Sequence, residues 1–515
     1  MAQPYYLTTA ISYPNGKPHI GHAYEAIAAD VVARFQRLRG REVRFQTGTD
    51  EHGLKMARKA EEQGRTPRDL ADEMSGFFRA MDDALNISYD RFIRTVDDDH
   101  HRASQAIWQR MEEAGDLYLD RYEGWYSVRD EAYYDESELS EGAGGEKLSP
   151  QGTPVEWTVE ESWFFRLSKY QDRLLDLLKT PGFLEPERSR NEMIAFVEGG
   201  LNDLSISRTS FDWGVKVPGS DDHVMYVWVD ALTNYITGLG YPDDTDLWQK
   251  FWPADLHLIG KDIVRFHTVY WPAFLISARI DLPRRVFAHG FLLNRGQKES
   301  KSLGNVTDPV ALADRFGVDA LRYVLLREVH FGQDGSYSAE AIVTRANAEL
   351  ANSFGNLAQR VTSFVAKNCD GTVTAGAPAT AEDCDLTALV KKACAEELPE
   401  AFERLAFSHG LEAWMRAVFA CNAYVDEQAP WALRKADPER MERVLATLCG
   451  AIRDLAIAVS PVIPAAAAQV LDVLCVATDA RAYSDITDDM ASGTITVENP
   501  RPTFPRLELP IGEAA

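Results

Sequence analysis

The stretch YYLTTAISYPNGKPHIGHAYEAIAADVVARFQRLRGREVRFQTGTDEHG, residues 5–53, decides the fold. Tyr5 to Ile11 is aromatic and β-branched, which is typical of a strand, and the turn-rich residues 12–18 follow it. Apolar side chains then recur at the spacing of a helix. They are Ile20, Ala23, Ile27, Val31, Phe35 and Leu38. Glu42 to Thr47 predicts a second strand, so the unit is βαβ and favours a parallel sheet with right-handed crossovers.

The same pattern returns two hundred residues later. Asp255 to Ile259 predicts a strand, Ile263 to Ser277 a helix, and Arg285 to Leu293 another strand. Two halves of one α/β sheet are therefore separated along the chain, and the aromatic and acidic residues 117–218 between them predict an inserted domain. From about Tyr337 onward the strand signals fade. Ala-rich and Leu-rich patterns over 339–476 predict a helical bundle.

The predicted fold class is a doubly wound parallel α/β domain of Rossmann type, followed by an all-α bundle. We expect the α/β domain to comprise residues 1–116 and 219–336, the inserted connective domain 117–218, and the helical domain with its tail 337–515. A chain of 515 residues is longer than one hydrophobic core usually supports, which agrees with several domains.

Composition bounds the class of protein. Hydrophobic residues make up 45% and charged residues 26%, which is typical of a folded globular chain. No apolar run is long enough to span a bilayer, and the first residues lack the features of a signal peptide, so we expect a cytoplasmic protein. The six cysteines lie at or beyond Cys369 without CxxC spacing. Buried free thiols are favoured over disulfides or a zinc ribbon.

The net charge is −25, from 54 basic and 79 acidic side chains, which is unusual for a protein that binds RNA. Binding depends on local patches that face the phosphates, so the net charge does not exclude it. One candidate patch is a run of five arginines, for which a solvated helix face is the favoured explanation. The run is Arg34, Arg37, Arg39, Arg41 and Arg44.

The tetrapeptide His19-Ile20-Gly21-His22 lies where the first helix begins. A helix N-terminus offers free N–H groups and the positive end of a dipole to an anion, and glycine allows a close approach to the backbone. His19 and His22 can donate hydrogen bonds to phosphate oxygens. Taken alone, two histidines at this place are more often surface or capping residues.

A second motif, Lys298-Glu299-Ser300-Lys301-Ser302, follows a strand of the other half of the sheet. Adenylyl transfer needs positive charge where pyrophosphate leaves, and a loop with two lysines can supply it. Alone, this pentapeptide is an ordinary basic loop. Both motifs at the carboxyl ends of strands in one sheet are far more specific than either one.

Together the motifs resemble those of class I aminoacyl-tRNA synthetases, His-Ile-Gly-His and Lys-Met-Ser-Lys-Ser. The second departs where Glu299 replaces methionine. An acid that pointed at pyrophosphate would oppose catalysis, so we expect Glu299 to face away and the loop to remain functional but slower. The resemblance implies catalytic roles for His19, His22, Lys298 and Lys301.

Within this class the chain is similar to methionyl-tRNA synthetases over nearly its whole length. Residues 13–16, 48–53, 227–231 and 260–262, with Phe266-His267, carry this likeness. The implied methionine pocket is Ile11, Tyr13, Asp50, Trp228, Ala231, Leu232, Tyr235, Ile263 and His267. Asp50 could hold the ammonium group and the rings could enclose the thioether. Plain core packing is the alternative for Trp228 and Tyr235.

The resemblance also implies the substrates and the two-step reaction. Methionine would attack the α-phosphate of ATP, with Mg²⁺ needed only as the partner of ATP, and would then pass from the adenylate to the 3′ end of its tRNA. No enzyme nucleophile is expected. The implied ATP-binding residues are His19, Gly21, His22, Glu25, Gly260, Asp262, His289, Gly290, Lys298, Ser300 and Lys301.

Many members of this family carry a zinc knuckle in the insert. The matching places here hold Ser127, Asp130, Leu148 and Gln151, none of which is a thiol, so we expect an insert that folds without structural zinc.

In the helical region, Asn356, Arg360 and Trp431 fall in segments similar to those that read the anticodon in this family. Asn356 and Arg360 share a helix face, and Trp431 offers a stacking surface, although burial in the bundle is an equally good explanation for Trp431. The implied partners are initiator and elongator tRNA(Met). No further tRNA-binding domain follows the helical region, which leads us to expect a monomer.

Three other functions are alternatives to this one. Synthetases for leucine, isoleucine or valine carry a much larger editing insert than 117–218. A synthetase for cysteine binds zinc in its amino-acid site, and no cysteine precedes Cys369 here. A non-catalytic tRNA-binding paralogue is suggested only by Glu299.

Overall fold

The computed structural model describes residues 2–130, 132–142, 144–298, 307–375, 377–486 and 493–509. The first part of the chain alternates strands and helices, as its sequence pattern predicts. Its elements are β1 (Pro4–Thr9), α1 (Ile20–Leu38), β2 (Glu42–Thr49), α2 (Leu54–Glu62), α3 (Pro67–Ala84), β3 (Arg91–Arg94) and α4 (Asp98–Glu113).

The inserted segment is built on a long antiparallel hairpin. Its elements are β4 (Leu117–Ser127), β5 (Ala132–Tyr134), β6 (Ser140–Glu141), β7 (Lys147–Leu148), β8 (Glu156–Phe165), α5 (Gln171–Lys179), β9 (Leu184–Glu185), α6 (Glu187–Glu198), β10 (Leu204–Ser205), β11 (Ser207–Arg208) and β12 (Val224–Met225). Strands β10, β8, β4 and β5 form one sheet in that order. Strand β9 pairs instead with the large sheet, so the chain returns to the α/β domain within the segment 117–218.

The second half of the α/β domain follows. Its elements are α7 (Val227–Thr237), α8 (Asp246–Phe251), β13 (Leu256–Gly260), α9 (Trp271–Ser277), β14 (Val286–His289), β15 (Leu292–Asn294), β16 (Gln297–Lys298), α10 (Pro309–Phe316), α11 (Val318–Glu328) and β17 (Gly335–Tyr337). The predicted helix 263–277 is irregular at its start, with a 3₁₀ turn at Lys261–Ile263 and a π-helical turn at Phe266–Tyr270.

The large sheet has the strand order β3-β2-β1-β13-β14-β9, and all its strands run parallel. The predicted doubly wound fold is confirmed. The strand order reverses direction between β1 and β13, where Leu7 lies beside Leu256. In sheets of this kind the crevice at the carboxyl ends of the two strands at this switch point is the usual place for a ligand.

The C-terminal region is helical, as predicted. Its elements are α12 (Ala339–Arg345), α13 (Asn356–Asn368), β18 (Thr372–Thr374), α14 (Ala381–Lys391), α15 (Leu398–Glu403), α16 (Phe407–Gln428), α17 (Pro430–Ala436), α18 (Pro438–Val459), α19 (Pro464–Val473) and β19 (Thr494–Thr496). Strands β18 and β19 pair with each other across the bundle's end, which the sequence pattern did not predict. Across the described residues, no helix has the length and apolar character needed to cross a membrane.

A buried ion pair joins the α/β domain to the bundle. Arg322 of α11 and Asp30 of α1 are both fully buried, 2.6 Å apart, and Arg322 also donates to the carbonyls of Pro461 and Val462. A guanidinium without these acceptors would be very costly to bury. The contact therefore fixes α1, the helix that His19 caps, against the end of α18.

Two predictions about side chains meet different outcomes. Arg34 and Arg37 lie on α1 and pair with Asp30 and Asp90, so the explanation as a solvated helix face is confirmed for these two residues. It is wrong for Arg39 and Arg41, which follow the end of α1 at Leu38, and for Arg44, which lies on β2. The six cysteines are free thiols. The expectation that they are buried is wrong for Cys384 and Cys475, which are exposed because they lie on the outer side of their helix and at a helix end.

Candidate active site

One cavity of about 520 Å³ opens at the carboxyl ends of β1 and β13. This cavity is lined by all the predicted catalytic, ATP-binding and methionine-binding residues whose side chains lie in the described part of the chain. They are Ile11, Tyr13, His19, Gly21, His22, Glu25, Asp50, Trp228, Ala231, Leu232, Tyr235, Gly260, Asp262, Ile263, His267, His289 and Gly290. The volume is within the usual range for small-molecule sites.

His19 and His22 form a capping box at the start of α1. The Nδ1 atom of His19 accepts the backbone N–H of Gly21 at 3.0 Å, and Nδ1 of His22 accepts the backbone N–H of His19 at 3.1 Å. A neutral imidazole that accepts at Nδ1 carries its proton on Nε2. The helix cap thus sets the tautomer of both rings and makes each Nε2–H a hydrogen-bond donor. A side chain at Gly21 would collide with the His19 ring, 2.9 Å away.

Glu25 and His289 connect α1 to the end of β14. His289 Nε2 lies 2.8 Å from Glu25 Oε2, and Nδ1 donates to the carbonyl of Gly290 at 2.8 Å. Burial alone would lower the pKa of His289, but the hydrogen bond to Glu25 and its charge raise the pKa above the usual value. The pair therefore holds a proton between the two halves of the sheet, at the wall of the cavity.

Asp50 is positioned by backbone pairing. The Ser12 N–H donates to the carbonyl of Gly48 at 2.9 Å, and the Asp50 N–H donates to the carbonyl of Ser12 at 2.9 Å. These bonds extend the β1–β2 pairing beyond the strands and bring Tyr13 and Ile11 next to Asp50. The Asp50 residue is 7% exposed and borders the cavity, so its carboxylate is largely shielded from bulk solvent and faces the cavity.

Helix α7 supplies the aromatic wall. Trp228 is half-buried and stacks on Phe266, with ring centroids 3.7 Å apart and planes 9° apart. Ala231, Leu232 and Tyr235 follow on the same helix and are buried. Core packing accounts for the buried residues of this wall but not for Trp228, which borders the cavity and stays partly exposed.

Tyr235 and His267 supply the polar groups of this part of the cavity lining. The Tyr235 hydroxyl lies 2.6 Å from His267 Nε2, and His267 Nδ1 donates to the carbonyl of Ile263 at 2.9 Å. Burial lowers the pKa of His267 to about 4. The ring is therefore neutral near pH 7, with its proton on Nδ1 and with Nε2 as the acceptor of the Tyr235 O–H.

A buried triad that the sequence did not reveal connects these elements. Asp230 of α7 lies 2.6 Å from His52 Nδ1 and 2.6 Å from His100 Nε2. Burial raises the pKa of Asp230, but the two imidazoles more than offset burial and hold the pKa well below its usual value. The ionised carboxylate thus joins α7, which carries Trp228, to the segment that carries Asp50.

The second motif lies mostly outside the described residues. The side chain of Lys298 and residues 299–306, which include Ser300 and Lys301, lie outside the described part of the chain. Glu299 is among these residues, so its orientation away from pyrophosphate stays a prediction. Strand β16 brings the backbone of Gln297 and Lys298 beside β15, which starts two residues after Gly290.

The predicted anticodon residues lie in the bundle. Arg360 lies over the ring of Trp431, 4.7 Å from its centroid, and also pairs with Asp426 at 2.6 Å. Trp431 is 46% exposed, so it is not the buried bundle residue of the alternative explanation. Asn356 is exposed one turn before Arg360 on α13. The three side chains therefore share one accessible region.

A doubly wound sheet with a histidine capping box at its switch point, followed by a helical bundle, defines a class I aminoacyl-tRNA synthetase. The family model described as tRNA synthetases class I (M) matches residues 5–362, and that described as the anticodon binding domain of methionyl tRNA ligase matches residues 373–506. The chain belongs to the methionine–tRNA ligase family and is an aminoacyl-tRNA ligase.

Individual relatives agree over the full length. The methionine–tRNA ligase of Brucella suis is 56% identical over 506 residues, 98% of each chain, and that of Mycobacterium tuberculosis is 55% identical over 515 residues, 99% of each. The structure is similar to that of Mycobacterium tuberculosis methionyl-tRNA synthetase in complex with methionyl-adenylate, with a TM-score of 0.94 and 54% identity, covering 98% of this chain and 100% of that one. The prediction of this family over the leucine, isoleucine, valine and cysteine enzymes is confirmed.

The hydrogen bond between Tyr235 and His267 can be tested. In Tyr235→Phe, the buried Nε2 of His267 loses its donor, and the KM for methionine should rise roughly five- to tenfold while the KM for ATP stays nearly constant. Methionine-dependent pyrophosphate exchange measures both constants.

Tyr24→Phe is the matched control. Tyr24 also borders the cavity, but its buried hydroxyl has no hydrogen-bond partner within the described residues. Its removal should leave both constants and the melting temperature unchanged or slightly improved. Equal effects of the two variants on the methionine KM would contradict the assigned role of Tyr235.

Proposed function

We propose that the cavity between β1 and β13 binds methionine and ATP side by side and joins them as methionyl-adenylate, which is then transferred to tRNA. The observation that carries this proposal is the convergence of the 17 described candidates on a single cavity. On one side of the cavity, the Asp50 carboxylate lies beside the aromatic wall of α7. On the other side, the N-terminus of α1 carries the Nε2–H donors of His19 and His22.

Methionine fits the first side. Asp50 would accept hydrogen bonds from the ammonium group, and Trp228, Tyr13, Ile11 and Ile263 would surround the thioether, a soft group that packs well against rings. His267 is neutral near pH 7, so it adds no charge next to an apolar side chain. The wall behind the methionine side chain would be completed by Ala231, Leu232 and Tyr235.

ATP fits the second side. The Nε2–H groups of His19 and His22 would donate to phosphate oxygens at the N-terminus of α1, and Gly21 would let the nucleotide approach the backbone. The remaining candidates for the nucleotide are Glu25, Gly260, Asp262, His289, Gly290, Lys298, Ser300 and Lys301. Lys298 and Lys301 would neutralise the leaving pyrophosphate.

Magnesium would arrive with ATP. The described residues contain no group of three His, Cys, Asp or Glu side chains that could hold a metal ion, which suits an ion carried mainly by phosphates. The ion would supply additional charge neutralisation on the triphosphate. Water exclusion and alignment of the methionine carboxylate with the α-phosphate would come from the chain's own residues, and no enzyme nucleophile takes part.

Asn356, Arg360 and Trp431 would read the CAU anticodon of tRNA(Met). An exposed tryptophan suits stacking by an unpaired base, and Arg360 already covers part of the ring. We further propose that both initiator and elongator tRNA(Met) are substrates, that the enzyme acts in the cytoplasm, and that it works as a monomer.

The methionine site is tested by Asp50→Asn. The amide keeps the shape of the side chain but removes the charge, so the KM for methionine should rise roughly ten- to a hundredfold, in line with the loss of a charge-assisted hydrogen bond. The KM for ATP should hardly change. Both are measured by pyrophosphate exchange.

Asp82→Asn is the control for this charge removal. Burial, together with the charges of Asp83 and Asp30, raises the pKa of Asp82 to about 8, so this carboxyl is mostly uncharged at pH 7. Its replacement should therefore leave the exchange kinetics nearly unchanged. An Asp50→Asn enzyme with a normal methionine KM would place the ammonium group elsewhere.

The anticodon site is tested by Trp431→Ala. Since stacking contributes about 1–3 kcal/mol per base, kcat/KM for tRNA aminoacylation should fall roughly ten- to a hundredfold, while methionine-dependent exchange should stay constant. Trp431→Phe should recover much of the loss because it restores a stacking ring. Normal charging by Trp431→Ala, or a joint loss of charging, exchange and melting temperature, would show that the anticodon site is misplaced.

A further inference from the structure

The tip of the inserted domain contains a buried polar cluster. Ser127, Asp130, Ser149 and Thr153, which we call the hydroxyl cluster, lie within hydrogen-bond distance of one another. Ser127 and Asp130 are two of the four places that the family resemblance aligns with a zinc knuckle, and here both take part in hydrogen bonds within the cluster.

The protons of the hydroxyl cluster can be assigned. Asp130 Oδ2 accepts from Ser149 at 2.6 Å and from Thr153 at 2.5 Å. Because each hydroxyl has one proton, Ser127 must be the donor in its 2.7 Å bond to Thr153. Ser127 in turn accepts the backbone N–H of Asp130 at 3.1 Å. The three hydroxyl residues are at most 1% exposed, so these bonds are shielded from water.

The cluster fixes two turns relative to each other. One turn follows β4 and includes Arg129, and the other lies between β7 and β8 and includes Gln151, whose N–H donates to Ser149 at 3.2 Å. Arg129, Asp130, Tyr134 and Gln151 all line the same cavity as His19 and His22. The insert therefore forms one wall of the active site, and the cluster sets the position of that wall.

Arg129 is the charged residue of this wall. It is exposed, and it makes no hydrogen bond or ion pair in the part of the chain that the structure describes. The chain has 79 acidic against 54 basic side chains, so acidic partners for an arginine are plentiful. A guanidinium suits phosphate because it can donate two parallel hydrogen bonds.

We propose that Arg129 binds a phosphate group of a substrate, and that the hydroxyl cluster is the positioning device that holds Arg129 over the cavity. The inference rests on the proposed function, which brings two sources of phosphate to this cavity. These are the triphosphate of ATP and the phosphodiesters at the 3′ end of the tRNA.

The variant Arg129→Ala separates the two sources. If Arg129 binds the triphosphate, the KM for ATP in pyrophosphate exchange should rise at least tenfold. If Arg129 binds the tRNA, exchange should stay normal while kcat/KM for tRNA falls at least tenfold and becomes less dependent on salt. Arg129→Lys should recover part of the loss because it keeps the charge. Either result supports the proposal.

Arg121→Ala provides a matched control on the same hairpin. Arg121 is exposed on β4 but does not line the cavity, so neither assay should change. Arg129→Ala with both assays at the wild-type level would overturn the proposal. If the wild-type enzyme itself fails to exchange pyrophosphate with methionine, the proposed function fails instead, and the two failures are thereby distinguishable.

The positioning role of the hydroxyl cluster is tested by Thr153→Val, which keeps the side-chain shape but removes the donor to Asp130. It should impair the same kinetic constant as Arg129→Ala and should cause no additional loss when combined with it. Losses that simply multiply in the double variant would contradict this coupling. Elemental analysis should find no stoichiometric zinc in the purified protein, whereas about one zinc per chain would overturn the assignment of the cluster.

Discussion

The parallel pairing of β1 with β13 is the contact on which the active site depends. Leu7, Thr8 and Thr9 lie beside Leu256, His257 and Leu258, which are far away in the sequence. The backbone N–H of Tyr6 also donates to Asp255 at 2.8 Å, which fixes the register at the start of both strands. Since both strands end at the same edge, the N-terminus of α1 and the segment after β13 face each other across one crevice. A shift of this pairing by one residue would displace the proposed methionine and ATP sites relative to each other.

The crevice is organised by short hydrogen bonds that set the protonation state of each ring. The helix cap leaves the protons of His19 and His22 on Nε2, whereas His267 has its proton on Nδ1 and accepts from Tyr235. Asp230 remains charged between two imidazoles. Fixed donors and acceptors need not reorganise when a charged substrate reacts, which is how electrostatic preorganisation accelerates adenylyl transfer.

The sequence predicted those features that local patterns encode. The βαβ unit and the helical bundle follow from periodicity within short segments, whereas the residues of the cavity were implied by the resemblance to methionyl-tRNA synthetases. The triad of His52, His100 and Asp230 was missed because its members are up to 178 residues apart in the chain. The strand β9 was missed because two residues carry no pattern, and the hydroxyl cluster because serine and threonine are common in turns. Such features depend on tertiary contacts, which no single stretch of sequence reveals.

We propose that this cavity selects methionine and activates it with ATP. It is tested most directly by measuring amino-acid-dependent pyrophosphate exchange with the wild-type protein and each of the standard amino acids in turn. On the methionine side of the cavity, the Asp50 carboxylate beside a mostly apolar aromatic wall predicts strong exchange with methionine and only weak exchange with leucine, because a thioether packs well against aromatic rings. Equal exchange with leucine and methionine, or no exchange with methionine, would contradict the assignment of this cavity to methionine activation.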